Sequence, residues 1–361
     1  MSTSAPVLIF PGGMPRSLAY LDHCRRHGLA AIGASSLAYD TAQAQYPAWL
    51  QLPYVHAPQF ATELRAQIQA HGVRGIFTPH PVVWSELQRL AQQGALPVPL
   101  LNPWPLAEEL APFHAAQAEA ARCAHWAPEL ASSVAARPPL APGELVALLR
   151  HAHAIPGMCD NDKIAALASI ARHAVAGDVV EIGSAYGKSA FVLHRLARLY
   201  GIGPTLCVDP WSGSAAVQHD AGGLVDACLP HYDYEEMLRA FEAHLLPYAA
   251  GDLNYLRLPS VEAAARYRQQ RTVASAAFGR THYCGRIALL HIDGNHSAPA
   301  VAADVAAWTG YLAPGGWLIL DDYRWPFGDG PRLAGDAWLA AHAARLAAAF
   351  VMGGALFIQL Q

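Results

Sequence analysis

Short apolar runs alternate with stretches of helical period along most of the chain. Val7-Leu8-Ile9-Phe10 is apolar, Pro11-Gly12-Gly13 interrupts it, and helical spacing follows from Ser17 to His27. A second apolar segment, 30–33, precedes Ser35-Ser36, and the helical pattern of residues 60–71 leads into Gly75-Ile76-Phe77-Thr78. Strands alternating with helices predict a parallel sheet. Pro97, Pro99, Pro103, Pro105 and Pro112 then punctuate the chain, which predicts extended or turn structure where a first unit ends. From Phe113 to about His153 the pattern is alanine-rich and helical, broken near Arg137-Pro138-Pro139 and Pro142, and reads as a connector. Asp160-Asn161-Asp162 looks like the cap of a helix over 163–173.

The second half repeats the alternation. Val179 to Ile182 reads as a buried strand, 191–200 as a helix and 205–208 as a strand stopped by Asp209-Pro210-Trp211. Residues 212–250 look irregular, and an excursion of that length usually covers a site. Strands are predicted at 255–258, 287–292 and 315–320, with a helix from near Val261 between the first two. A helix from Trp338 leads to Phe350-Val351-Met352, Gly353-Gly354 and 355–360, a hairpin signal. The domain plan is therefore an α/β unit over 1–112, a helical connector over 113–160 and a second α/β unit over 161–361.

Composition narrows the function classes. With 14% charged residues and a net charge of −4, the chain has no footprint for nucleic acid or for an anionic membrane surface. Its six cysteines are scattered without a C-x-x-C pair, and no N-terminal signal pattern is seen, so a reduced, cytoplasmic protein is expected. No apolar run reaches the roughly 18–20 residues that span a bilayer. The eighteen histidines show no zinc spacing with cysteine, although His219 and His231 in the excursion are placed to touch a substrate.

Chemistry concentrates in the second unit. In Val179-Val180-Glu181-Ile182-Gly183-Ser184-Ala185-Tyr186-Gly187-Lys188-Ser189, a strand runs through a glycine turn into a helix. Two glycines let the backbone approach a ligand, and Glu181 at the strand end can accept hydrogen bonds from ribose or amino groups. The spacing E-x-G-x-x-x-G is neither the dinucleotide fingerprint nor a phosphate loop, so no pyrophosphate is implied. It resembles motif I of the class I S-adenosylmethionine (SAM) methyltransferases. Asp209, roughly 20 residues on at the next strand end, is where an acid can hold both ribose hydroxyls, its competing role being a turn cap. The expected cofactor set is Glu181, Gly183, Ser184, Tyr186, Gly187, Ser189, Asp209, Trp211 and Ser260, the last facing adenine.

His291-Ile292-Asp293-Gly294-Asn295-His296-Ser297 and Asp321-Asp322-Tyr323 fall where two further parallel strands end, the edge at which open α/β sheets bind ligands. Three converging carboxylates repel one another unless a cation neutralises them, and oxygen ligands suit magnesium, calcium or manganese. Singly, Asp321-Asp322 also reads as a solvated strand end and His296 as a turn residue. Together these residues resemble the I-D-x-x-H and (E/D)-D elements of the metal-dependent small-molecule O-methyltransferases, including those acting on macrolide sugars. The resemblance implies that Asp293, Asp321 and Asp322 hold a divalent metal, expected to be Mg2+, and that His296, with Asp293, does the catalytic work as base. It also implies a seven-stranded Rossmann-like sheet ending in an antiparallel hairpin.

The first unit resembles the small Rossmann-like domain that precedes the catalytic core of ATP-grasp ligases, but no such core follows. It is expected to shape the acceptor pocket, support a homo-oligomer or dock a partner. The expected activity is transfer of a methyl group from SAM to a hydroxyl of a small natural-product metabolite. Metal-independent N-methylation, an inactive SAM-binding assembly protein and an iron-dependent hydroxylase-associated protein remain alternatives.

Overall fold

The computed structural model describes residues 5–124, 130, 132–219 and 222–361. Parts of the expected connector (125–129 and 131) and of the excursion (220–221) lie outside the described residues. The chain divides into two units, Met1–His114 and Ala115–Gln361.

In the first unit, β1 (Val7–Ile9), β2 (Ala31–Ser35), β3 (Trp49–Gln51) and β4 (Gly75–Phe77) form an all-parallel sheet in the order β3-β2-β1-β4. Helices Pro15–Arg26 and Phe60–His71 supply the β1–β2 and β3–β4 crossovers, a short 3-10 turn, Thr41–Gln45, links β2 to β3, and helix Pro81–Gln92 follows β4. Leu8, Phe10, Ile32 and Ile76 enter one core, and Val7, Ile9, Ala31 and Phe77 the other, as the two-residue period of a strand requires. The proline-rich stretch departs from expectation. Pro105 opens a helix, Pro105–Ala124, with Pro112 inside it. Proline is well suited to a first helical turn, and the interior one forfeits a single backbone hydrogen bond.

The second unit carries β5 (Asp178–Ile182), β6 (Thr205–Val208), β7 (Leu253–Leu256), β10 (Ile287–Ile292), β11 (Leu312–Leu320), β12 (Leu346–Met352) and β13 (Ala355–Leu360). Their order is β12-β13-β11-β10-β5-β6-β7. Strands β5, β6, β7, β10 and β11 are parallel, while β13 runs antiparallel to both β11 and β12. Alternate residues again serve opposite faces: Val179, Leu289, Trp317 and Phe357 in one core, Val180, Leu290, Leu318 and Ile358 in the other. This is the seven-stranded, hairpin-ended sheet that the motifs implied.

Two elements were not anticipated. Strands β8 (Thr272–Ser275) and β9 (Gly279–His282) form a small hairpin beside the edge strand β7. Asn254 of β7 donates to the carbonyls of Val273 (3.2 Å) and Gly279 (3.0 Å), which pins the hairpin there. The excursion after β6 is only partly irregular. It contains a regular helix, Tyr234–Leu245, capped by Asp233 and burying Met237, Leu238, Phe241 and Leu245. Among the described residues, no helix is long and apolar enough to cross a membrane.

Candidate functional site

Five neighbouring strand ends are knitted together at one edge of the large sheet. Asp209 donates its amide to Leu256 (3.2 Å), Gly183 to Val208 (2.8 Å), Asp293 to Ile182 (2.8 Å) and Asp321 to Ile292 (2.9 Å). The residues flagged by the two motif groups therefore share one rim. Gly183 and Gly187 have φ of +85° and +91°, conformations that favour glycine. A Cβ on Gly183 would lie 1.9 Å from the carbonyl oxygen of Asp293, so the glycine turn and the acid-bearing loop abut.

The turn is ordered by side chains at its base. Asp209 accepts from the amides of Ser184 (3.0 Å), Ala185 (2.9 Å) and Trp211 (2.7 Å) while staying half-buried. Burial pushes its carboxyl above the usual range, and those amide bonds oppose the shift. Ala185 and Trp211 sit at φ of +43° and +42°, strained backbone that these bonds hold in place. Tyr186 is half-buried and its carbonyl contacts His244 Nδ1 (2.9 Å), while Ser189 lies buried in the first turn of helix Lys188–Tyr200.

Three of the expected cofactor residues engage other groups of the protein. Glu181 is completely enclosed, accepting from Ser184 Oγ at 2.7 Å and facing His291 Nδ1 at 3.2 Å, so it braces the turn from beneath. Trp211 is 1% exposed, packed against Phe241 and Tyr255, and donates to the Ala185 carbonyl at 2.9 Å. It supports the turn as packing. Ser260 opens helix Ser260–Gln269, and its Oγ accepts from Trp308 Nε1 at 2.9 Å, which ties it to the helix layer.

The acid cluster is assembled as the second motif group suggested, with one difference. His296 Nε2 lies 3.1 Å from Asp322 Oδ2 and 3.7 Å from Asp293 Oδ1, and neither of its ring nitrogens has an aligned hydrogen-bond partner. Trp325 meets the His296 ring edge-on at 4.7 Å. Asp322 takes the left-handed conformation at φ +51°. One ligand atom from each of Asp293, His296 and Asp322 falls within 4.8 Å of the others, and the same holds for His291, Asp293 and Asp321. Asp293 is common to both sets, but Asp321 and Asp322 fall in different ones. The all-carboxylate trio expected from sequence is thus divided, because Asp321 already has partners. Its Oδ2 is ion-paired with Lys163 Nζ, and its Oδ1 accepts from the Asp322 amide at 2.9 Å.

Lys163 and His291 are the residues that sequence reasoning left without a role. Lys163 is buried in the first turn of helix Asn161–Ala171, with its Nζ 3.9 Å from Asp293 Oδ2 as well as on Asp321. Its signal was available: Lys163 shares a helix face with Leu167 and Ile170, both buried, and a charge on an apolar face needs a partner. His291, fully buried, bridges Glu181 and Asp321, its Nε2 3.5 Å from the latter. Burial acts to lower its pKa, but the two carboxylates override that and lift it to about 10. Asp321 is held well below the usual carboxylate range by Lys163 and His291 against the effect of burial. Burial and the neighbouring Asp321 charge push Asp293 up to about 7. His296 is raised too, Asp293 and Asp322 outweighing burial.

The excursion is tethered to this cluster. Asn295 donates to the carbonyls of Ala215 (3.2 Å) and Val217 (2.7 Å), and the Gln218 and His219 amides rest on Asp226. The side chains of His219 and His231 are exposed. All six cysteines are free thiols.

Five parallel strands closed by an antiparallel hairpin, with a glycine turn leaving the central strand, define the class I methyltransferase fold. The family model described as "Methyltransferase domain" matches residues 180–323, from within β5 to just beyond β11. Residues 180–323 thus carry a methyltransferase domain, which supports an enzyme that uses SAM as donor. No curated protein matches it by sequence. Among solved structures it is similar to CalS11, a TDP-rhamnose 3'-O-methyltransferase of calicheamicin biosynthesis, at 17% identity over 67% of this chain and 93% of that one, TM-score 0.37. It is likewise similar to the methyltransferase PaMTH1 of Podospora anserina, at 15% identity over 69% and 96%, TM-score 0.37. The O-methyltransferase NovP shares 15% identity over 52% of this chain and 73% of its own, TM-score 0.36.

Proposed function

We propose that this enzyme methylates a hydroxyl of a small metabolite, of the kind made in natural-product pathways, with His296 as the proton acceptor and a divalent cation at the acid cluster. The observation that carries the reading is the abutment of the two half-sites. The turn braced by Asp209 and the loop bearing Asp293 and His296 touch at Gly183, so donor and acceptor chemistry share one rim.

Methyl transfer forms an oxygen–carbon bond, breaks a carbon–sulfur bond and requires the hydroxyl to shed a proton. His296 suits that proton: neither buried ring nitrogen has an aligned hydrogen-bond partner, and Asp293 and Asp322 flank Nε2 and strengthen its basicity. Trp325 against the ring limits its rotation. The groups also fit a divalent cation. Asp293 and Asp322 present oxygens around the His296 imidazole, and burial together with the Asp321 charge raises the Asp293 carboxyl, a crowding that a cation would relieve. Asp293 and Asp322 would hold the ion, with Asp321 behind them. Bound there, a divalent cation supplies Lewis acidity and an anchor for the acceptor oxygen.

One observation favours the metal-independent alternative, in which the carboxylates orient an amine: Lys163 already gives Asp321 a positive partner. Activity in chelator separates the two readings. Stripping with EDTA is expected to lower turnover about tenfold or more, with recovery on adding Mg2+ or Mn2+. Full turnover in EDTA, with SAM still bound, would favour the amine acceptor.

A further inference from the structure

Lys163 is a charged side chain only 4% exposed, placed between two of the three acids that the site presents. We infer that Lys163 is the resident cation of the acid cluster, a positioning residue that masks Asp321 and thereby sets how strongly the remaining carboxylates take up a divalent ion. This deepens the reading above and rests on it only in assuming that the cluster can accept a metal.

Three features support the inference. A buried ammonium must be paired, because an isolated charge out of water is strongly disfavoured, and Asp321 is its nearest acid. The pairing is fixed from both sides. Asp160 caps the helix by accepting from the Lys163 amide at 2.8 Å, and Asp321 is held by its neighbour's amide and approached by His291. Finally, the ammonium lies within 3.9 Å of Asp293, so its field reaches the carboxylate shared by both candidate ligand sets. A unit positive charge at that separation opposes an incoming cation and leaves Asp322 as the acid of the cluster with which Lys163 makes no ion pair.

The test is Mn2+ binding to the full chain, read from the free-ion electron paramagnetic resonance signal, with S-adenosylhomocysteine binding as the control for an intact site. Lys163→Met is expected to bind Mn2+ about tenfold or more tightly than wild type, since a nearby positive charge is lost and Asp321 is freed as an oxygen ligand. Lys163→Arg, which keeps the charge, is expected to show no such gain. Adding Asp321→Asn to Lys163→Met should abolish the gain. If wild type binds Mn2+ and Lys163→Met binds it no more tightly, the inference is overturned while the metal reading stands. If wild type binds none but Lys163→Met does, the inference holds and the metal reading fails. If neither binds, both fail. Should Lys163→Met be too unstable to titrate, melting temperatures decide. Loss of the ammonium partner of Asp321 predicts that Lys163→Met/Asp321→Asn melts above Lys163→Met, and the reverse order would refute the pairing.

Discussion

Replacing His296 with alanine is expected to cut methyl transfer about 10²- to 10⁴-fold, the usual worth of a positioned general base. Affinity for S-adenosylhomocysteine should be unchanged. The two halves of this expectation come from different elements. His296 projects from the loop after β10, while the donor turn leaves β5 and is ordered by Asp209 and Glu181. Removing the imidazole leaves Asp293 and Asp322 in place but no ring nitrogen between them to take the proton. Single-turnover kinetics with saturating donor would isolate the chemical step. Turnover within about threefold of wild type would remove His296 from proton transfer, since that lies far below what a general base contributes.

A second large effect is expected at Gly183, on stability and on donor binding together. At φ +85° any side chain is strained, which costs about 1–3 kcal/mol. An alanine Cβ would also meet the Asp293 carbonyl oxygen at 1.9 Å and its carbon at 2.5 Å, backbone atoms that cannot step aside as a flexible side chain does. Forcing that shift adds about 1–3 kcal/mol. Gly183→Ala should therefore lose about 2–6 kcal/mol, a fall of roughly 5–20 °C in melting temperature for a unit of this size. Gly201→Ala is the matched control. It has φ +60° and nothing within 4 Å of its Cβ position, so only the backbone cost applies. Equal melting temperatures for the two variants, by scanning calorimetry, would mean that the turn and the acid loop do not press together.

Much of the fold is legible in the sequence. Strands β6 and β10 lie where apolar runs stop at an acid, the Gly353-Gly354 pair makes the final hairpin, and Asp160 caps its helix, because each signal is local. Helix Tyr234–Leu245 carried a readable stripe at Met237, Leu238, Phe241 and Leu245, but the glycines and prolines around it hid the period. The hairpin of β8 and β9 has no strong turn dipeptide and depends on Asn254 from another strand. The site divides the same way. Residue types at strand ends pointed to Asp209, Asp293, His296, Asp321 and Asp322. The partner of Asp321 lies 158 residues away in sequence, and no local pattern states that pairing. The argument that three acids need a cation was sound as electrostatics, and the fold supplies part of that charge from Lys163 and His291. Glu181 shows the converse: nothing local in the sequence states that this acid at a strand end is enclosed and supports the turn.

The central claim is that the rim formed by the Gly183 turn and Asp209 holds the donor beside the acid cluster. Titration calorimetry of wild type and Asp209→Ala with S-adenosylhomocysteine tests it most directly. One-to-one binding by wild type, weakened about 10- to 100-fold or more in the variant, is predicted, because Asp209 both orders the turn's amides and offers charged acceptors to a ribose. Absence of binding by wild type, or equal affinity in Asp209→Ala, would contradict it.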